Sequence, residues 1–278
     1  VTSMPTTPPP PPTQPALPIV SWNLLPALLV SGSAVLLFAL ENAWGYAPLL
    51  TGVAIAWLLD RAFARDVSII AVGMGIISLH SMKADLSWGN MVVMGTVLAA
   101  AVFVPYALSR WVLKDHAVRF PTRKNTRWSR LEWGWLGAVL VLGWLILPTY
   151  FITSGAYQNW PAVTEWHEIA RLFVGVNAVG IWDELFFMCV VFTLYRRHFS
   201  FWTANVLQAI VFVSFLWELG YRAWGPLLTI PFALVQAWIF SKTRSLVYVI
   251  TVHLLFDLVV FLTIVHAHHR DWLTIFWY

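Results

Sequence analysis

His253 and Asp257 lie four residues apart in SLVYVITVHLLFDLVVFLTIVH (245–266), and Asp183 and Glu184 stand side by side in GIWDELFFMCVVFTLYRR. At a spacing of i, i+4 the imidazole and the carboxylate share one helical face, a turn apart. Both stretches are apolar enough to enter a bilayer, where a charged side chain costs about 2.5–3.5 kcal/mol on insertion scales, so ionisable groups there point to function. A carboxylate and an imidazole in a low-dielectric cavity can hold a water and deprotonate it for attack on a peptide carbonyl. The same groups are ordinary zinc donors, which makes His253, Asp257 and Glu184 candidate ligands of a divalent metal such as zinc. They also suit a proton relay in a transporter, or an interhelical hydrogen-bond cluster that only locks helices together.

The helices that must carry these residues are predicted by composition. Hydrophobic residues make up 59% of the 278 and charged residues 11%, with a mean hydropathy of +0.72. Soluble domains are nearer a quarter charged, so the chain reads as an all-α polytopic membrane protein whose first partner is the lipid bilayer. The net charge of +4 sits mostly in loops and follows topology, and no nucleic-acid partner is expected. Cys189 is the single cysteine, so no intramolecular disulfide forms.

Spans of suitable length are predicted near 19–40, 46–64, 67–83, 88–112, 131–153, 168–195, 201–220, 225–241 and 245–266. The bundle thus has eight or nine transmembrane helices, the second and third spans being short enough to form one re-entrant hairpin. Residues 1–18 are Pro-rich and uncharged, a disordered tail with no basic segment to mark a cleaved signal peptide. Residues 19–153 carry the N-terminal helices and a basic loop at 113–130, and residues 154–278 the remaining helices and a short tail. Thirteen Lys and Arg fall in the loops of one face, against Lys83, Arg222 and Arg270 on the other. By the positive-inside rule the N-terminus is cytoplasmic and the C-terminus outside. Glu184 lies twelve residues before Arg196 and Asp257 twelve after Ser245, about 18 Å along a helix in each case. Two separately placed clusters are therefore expected to meet at one depth.

DELFFM, the polar interruption FLWELG, and SKTRSLVYVITVHLLFDLVVF together resemble the CPBP family. These are the intramembrane CAAX-processing proteases and their bacterial bacteriocin-processing and self-immunity relatives. The resemblance covers roughly residues 165–265. The family pattern is EExxxR, then FxxxH, then HxxxN or HxxxD. His253-xxx-Asp257 matches the last motif, Asp183 replaces the first Glu, Met188 stands where Arg is usual, and no His occurs near FVSFLWELG. The resemblance implies a divergent protease that cleaves a membrane-associated peptide, with Glu184 and Asp183 activating water and His253 and Asp257 orienting it, binding metal or stabilising the oxyanion. It equally admits an inactive subunit, assembly factor or immunity protein that binds a membrane partner, and it suggests a bacterial inner membrane. Glu218 is a candidate replacement ligand for the missing His, unless it pairs with Arg222 at i+4.

His80 is a further candidate imidazole, while His266, His268 and His269 are expected at a solvated end. Trp160 and Trp166 read as interfacial anchors. Asn177, Gln208, Ser214 and Gln236 read as interhelical hydrogen-bonding residues.

Overall fold

The computed structural model describes residues 22–122 and 127–277, and among them it contains helices and no strand. The tail expected at 1–18, and Arg123 and Lys124 of the basic loop, lie outside the described residues. Among the described residues, besides short 3-10 helices at Ala43–Gly45 and Ala156–Asn159, nine longer helices follow in order: α1 (Leu24–Ala39), α2 (Tyr46–Leu59), α3 (Arg61–Ile77), α4 (Trp88–Val112), α5 (Arg130–Thr153), α6 (Trp166–Arg196), α7 (Phe201–Leu219), α8 (Pro226–Thr243) and α9 (Leu246–His268). Helices α4, α5, α6, α7 and α9 are long and apolar enough to cross a membrane. The chain is an all-α polytopic membrane protein.

Helix starts follow local chemistry. Ser129 and Glu132 form a capping box at α5, the Ser129 hydroxyl accepting from the Glu132 N–H (3.2 Å) and the Glu132 carboxylate from the Ser129 N–H (2.6 Å). Ser87, Ser200 and Ser245 cap α4, α7 and α9 in the simpler way. Asp60 corrects one predicted boundary. It accepts from the N–H groups of Ala62 and Phe63 and from the Asn23 amide, so the chain turns at Asp60 rather than near 65. Arg61 and Arg65 therefore lie in the first turns of α3.

Helix α6 is the centre of the bundle, with 72% of its most apolar window buried, whereas α4 buries 22% of its own. The Trp182 indole donates to the Leu98 carbonyl of α4 at 2.6 Å, and the Tyr195 hydroxyl shares a 2.8 Å hydrogen bond with Ser31 of α1. Helix α9 packs against α5, α6 and α8. Helix α7 ends at Gly220, whose φ of +121° strains any side-chain-bearing residue; a Cβ there would also strike Asn159 and Trp160.

Candidate active site

Immediately after Asp183 the hydrogen bonding of α6 widens from i→i+4 to i→i+5, over Glu184–Phe192. Thr193 closes this stretch by donating both its N–H and its hydroxyl to the Met188 carbonyl. Such wide turns alter which way successive side chains face, and they are frequent at functional sites. Here Glu184 points toward α8 and α9, while Asp183 faces a cavity between α6, α7 and α9.

The sequence-predicted carboxylates and imidazole do come together. The His253 Nδ1 lies 2.7 Å from Glu184 Oε1, and the same oxygen accepts from the Gln236 amide at 2.7 Å. Gln236 also donates to the Val249 carbonyl at 3.0 Å, so it fixes Glu184 from α8 against α9. The other imidazole nitrogen, Nε2, lies 3.7 Å from Asp183 Oδ2 and 3.8 Å from Asp257 Oδ1. Those separations exceed a direct hydrogen bond and leave room for a bridging water. Asp183, Glu184, His253 and Asp257 are all buried. One oxygen of each carboxylate (Asp183 Oδ1, Glu184 Oε2, Asp257 Oδ2) has no protein partner. Buried carboxylate oxygens are costly to leave unmatched, so this cluster calls for donors from outside the protein.

The cavity occupies about 710 Å³, its mouth included, and is lined by Asp183, His253, Asp257 and Tyr221 among apolar walls that include Met82, Met91, Met94 and Leu172. A second cavity of about 330 Å³ reaches His253 past Phe232, Phe256 and again Tyr221. Phe232 meets the imidazole edge-on at 5.0 Å between ring centres. Gly180 is required where α6 passes α9, because a Cβ there would collide with the Asp257 carboxylate.

Other expected site residues lie elsewhere. Glu218 accepts from the Met82 N–H at 2.8 Å and lines a separate cleft with Glu41 and His80. It neither joins the His253 cluster nor pairs with Arg222, whose guanidinium lies 3.9 Å from Glu41. His80 is hydrogen-bonded to Asn90. His268 and His269 bond the carbonyls of Trp160 and Val163, and His266 is buried, so the end expected in solvent is packed against the 154–167 loop. Trp166 is exposed as an anchor should be, but Trp160 is buried and lines the cavity. Gln208 and Gln236 do bond across helices. Asn177 and Ser214 instead bond carbonyls of their own helices. Among the described residues no group of three or more His, Cys, Asp or Glu side chains has the arrangement of a metal site. Glu218 lies in a different cleft from His253, Asp257 and Glu184.

Two residues of the site escaped the sequence. Gln236 was legible only as a generic polar group in an apolar helix. Tyr221 carried no signal, since a tyrosine after a helix-ending Gly reads as an interface residue. Its ring packs between Trp160 and Phe151. Burial, and then the nearby Asp257 carboxyl, hold its phenol well above the ordinary value, so it remains a hydrogen-bond donor.

Fold and site together define a polytopic membrane protein with a carboxylate–imidazole pair buried beside a cavity at mid-helix depth. Residues 165–259 match the family model described as type II CAAX prenyl endopeptidase Rce1-like, which bears out the CPBP resemblance over that segment. The match spans α6 to most of α9 and contains Asp183, Glu184, His253 and Asp257. Comparison with curated proteins, and with solved structures, finds no match.

Proposed function

We propose that the chain is a divergent intramembrane protease that hydrolyses a peptide bond in a membrane-associated substrate. The observation that carries this reading is the 2.7 Å contact from Glu184 to His253 Nδ1, with Nε2 left facing Asp183 and Asp257 in the cavity. Glu184 accepts the Nδ1 hydrogen and holds the ring in the tautomer whose Nε2 lone pair faces the cavity, as the carboxylate does in a catalytic triad. A water between Nε2 and the two aspartates gives its proton to Nε2 as its oxygen bonds to the scissile carbonyl carbon. The C–N bond then breaks, and the leaving amine takes the proton from Nε2. Asp183 and Asp257 orient the water, and the Tyr221 hydroxyl donates to the carbonyl oxygen as negative charge develops there. Glu184, expected from the sequence to activate water, acts in this reading through His253.

The membrane orientation that fits the loop charges places the N-terminus in the cytoplasm and the C-terminus outside, in a bacterial inner membrane. One observation favours a second reading, a non-catalytic subunit, assembly factor or immunity protein that binds a membrane partner. Leu216 and Leu219 line the cavity in the stretch where the family carries a His.

The test is cleavage of a membrane-embedded peptide library by the purified chain, compared with His253→Ala and Glu184→Gln. The expected result is a loss of about a hundred- to ten-thousand-fold in His253→Ala, the range for a general base, and a smaller loss in Glu184→Gln. Cleavage unchanged by His253→Ala, or no cleavage by a wild-type chain that still captures a membrane partner, sinks the protease reading.

A further inference from the structure

At the inner end of α4, far from His253, the chain builds a second polar cavity. Its lining is Tyr106, Arg110, His116, Val118, Arg119 and Phe120, around about 750 Å³ of space with its mouth included. The segment that forms it is held firmly. Asp115 accepts from the Ser109 hydroxyl (2.7 Å), the Ala117 N–H (3.0 Å) and the guanidinium of Arg197, just after α6 (2.8 Å). The Ser109 oxygen in turn accepts from the Val118 N–H. Lys114 and His116 both adopt positive φ, +57° and +52°. Left-handed conformations in bulky residues cost energy and persist where the surroundings impose them, often at ligand clamps.

Donors dominate this cavity. Arg110 donates to His116 Nδ1 at 2.9 Å. Because a guanidinium is always a donor, Nδ1 accepts and the imidazole hydrogen sits on Nε2. Arg119 spends its Nε–H on the His116 carbonyl at 2.6 Å, which leaves its terminal nitrogens for another partner. Among the described residues neither Arg110 nor Arg119 has a carboxylate within ion-pair distance, and no carboxylate lines the cavity. Asp115, the nearest acid in the segment, is turned to Ser109 and Arg197. Tyr106, Phe120 and the exposed Trp111 form an aromatic border, as expected at headgroup depth.

We infer that Arg110, Arg119 and His116 form a binding site for a phosphoryl anion, presented by the headgroup of an anionic phospholipid. Two guanidinium groups are suited to bidentate contacts with phosphate oxygens, and basic pockets beside transmembrane helices take anionic headgroups. The site is independent of the protease reading, because no catalytic residue lies in it.

The test is lipid retention by the detergent-purified full chain in native mass spectrometry, with phosphatidylglycerol and phosphatidylcholine of identical acyl chains. A parallel arm measures competition by inorganic phosphate. The expected result is a preference for phosphatidylglycerol that falls about tenfold or more in the Arg110→Gln, Arg119→Gln double variant, since charge-assisted hydrogen bonds are lost. Glutamine can still donate to the His116 carbonyl, so the segment keeps its internal bond. Lys242→Ala, which removes a charge from the same face outside the cavity, should leave the preference unchanged. Displacement of the lipid by inorganic phosphate would assign the site to phosphoryl groups generally, free ones included. Equal retention of the two lipids with no phosphate binding, or an equal loss in Lys242→Ala, overturns the inference.

Discussion

The molecule pairs a buried carboxylate with a histidine in two places, and the two clusters are finished differently. Near the end of α6, Asp66 of α3 is buried, and each of its oxygens has a donor, Arg197 at 2.8 Å and His198 at 2.6 Å. At mid-helix, Glu184 and His253 meet at 2.7 Å, yet Asp183, Glu184 and Asp257 each keep one oxygen without a protein partner, and Asp183 and Asp257 line a cavity. A saturated polar cluster ties helices together, because every buried group already has its bond. One left with open acceptors holds a free-energy penalty that water or substrate relieves, which is the expected mark of a working site.

This contrast can be broken by experiment. After His253→Ala, the largest effect is expected at Gly180→Ala, where the added Cβ must displace the Asp257 carboxylate. A misplaced group at a reacting centre costs about a hundredfold in rate, so cleavage should collapse while helical content, followed by circular dichroism, stays near wild type. Asp66→Asn should do the opposite. It removes the charge facing Arg197, whose side chain is 42% exposed, so the expected loss is about 2 kcal/mol in denaturant unfolding, below the value for a fully buried pair. Residual cleavage per folded molecule should not move; if it does, the saturated cluster is not merely structural.

Gln236→Ala sits between the two. It removes one donor from Glu184 and should lower cleavage about tenfold, the scale of a hydrogen bond to a charged group, with Gln236→Glu giving no rescue because it places a second carboxylate against Glu184. The smallest effect is a pH dependence in the 113–118 segment. Burial raises the Asp115 carboxyl, but the Ser109 hydroxyl, Arg197 and the Ala117 N–H outweigh it and hold the group below its ordinary 3.8. A depressed folded value means the contribution is complete above about pH 4 and fades as pH falls below 3.8 through the folded value. Hydrogen exchange across 113–118 should therefore rise in acid, and Asp115→Asn should show little further change over that range.

Much of the site could be read from residue types alone. An ionisable group inside a twenty-residue apolar run is too costly to be incidental, which singled out Asp183, Glu184, His253 and Asp257. Counting along the helices placed them at one depth, and contact between α6 and α9 bears that out. The same reasoning does not reach Glu218, which faces a different cleft, because depth along a helix says nothing about which way a side chain turns. Asp66 follows Arg61 and Arg65 and lies between the spans predicted at 46–64 and 67–83, so nothing in the sequence marks it as a buried group.

The sequence by itself determined that this chain is a helical membrane protein, where most of its helices begin, and which four ionisable residues meet in its apolar interior. Those properties depend on local quantities: hydropathy over a span, capping side chains, spacing along one helix. Only the tertiary structure decided the division of labour among the four. Whether Glu184 faces the cavity or stands behind the imidazole depends on a widened stretch of α6 and on Gln236 of α8. That Tyr221 joins them depends on where Gly220 turns the chain. Orientation across packed helices is a relation between segments distant in sequence, and neither composition nor periodicity encodes it.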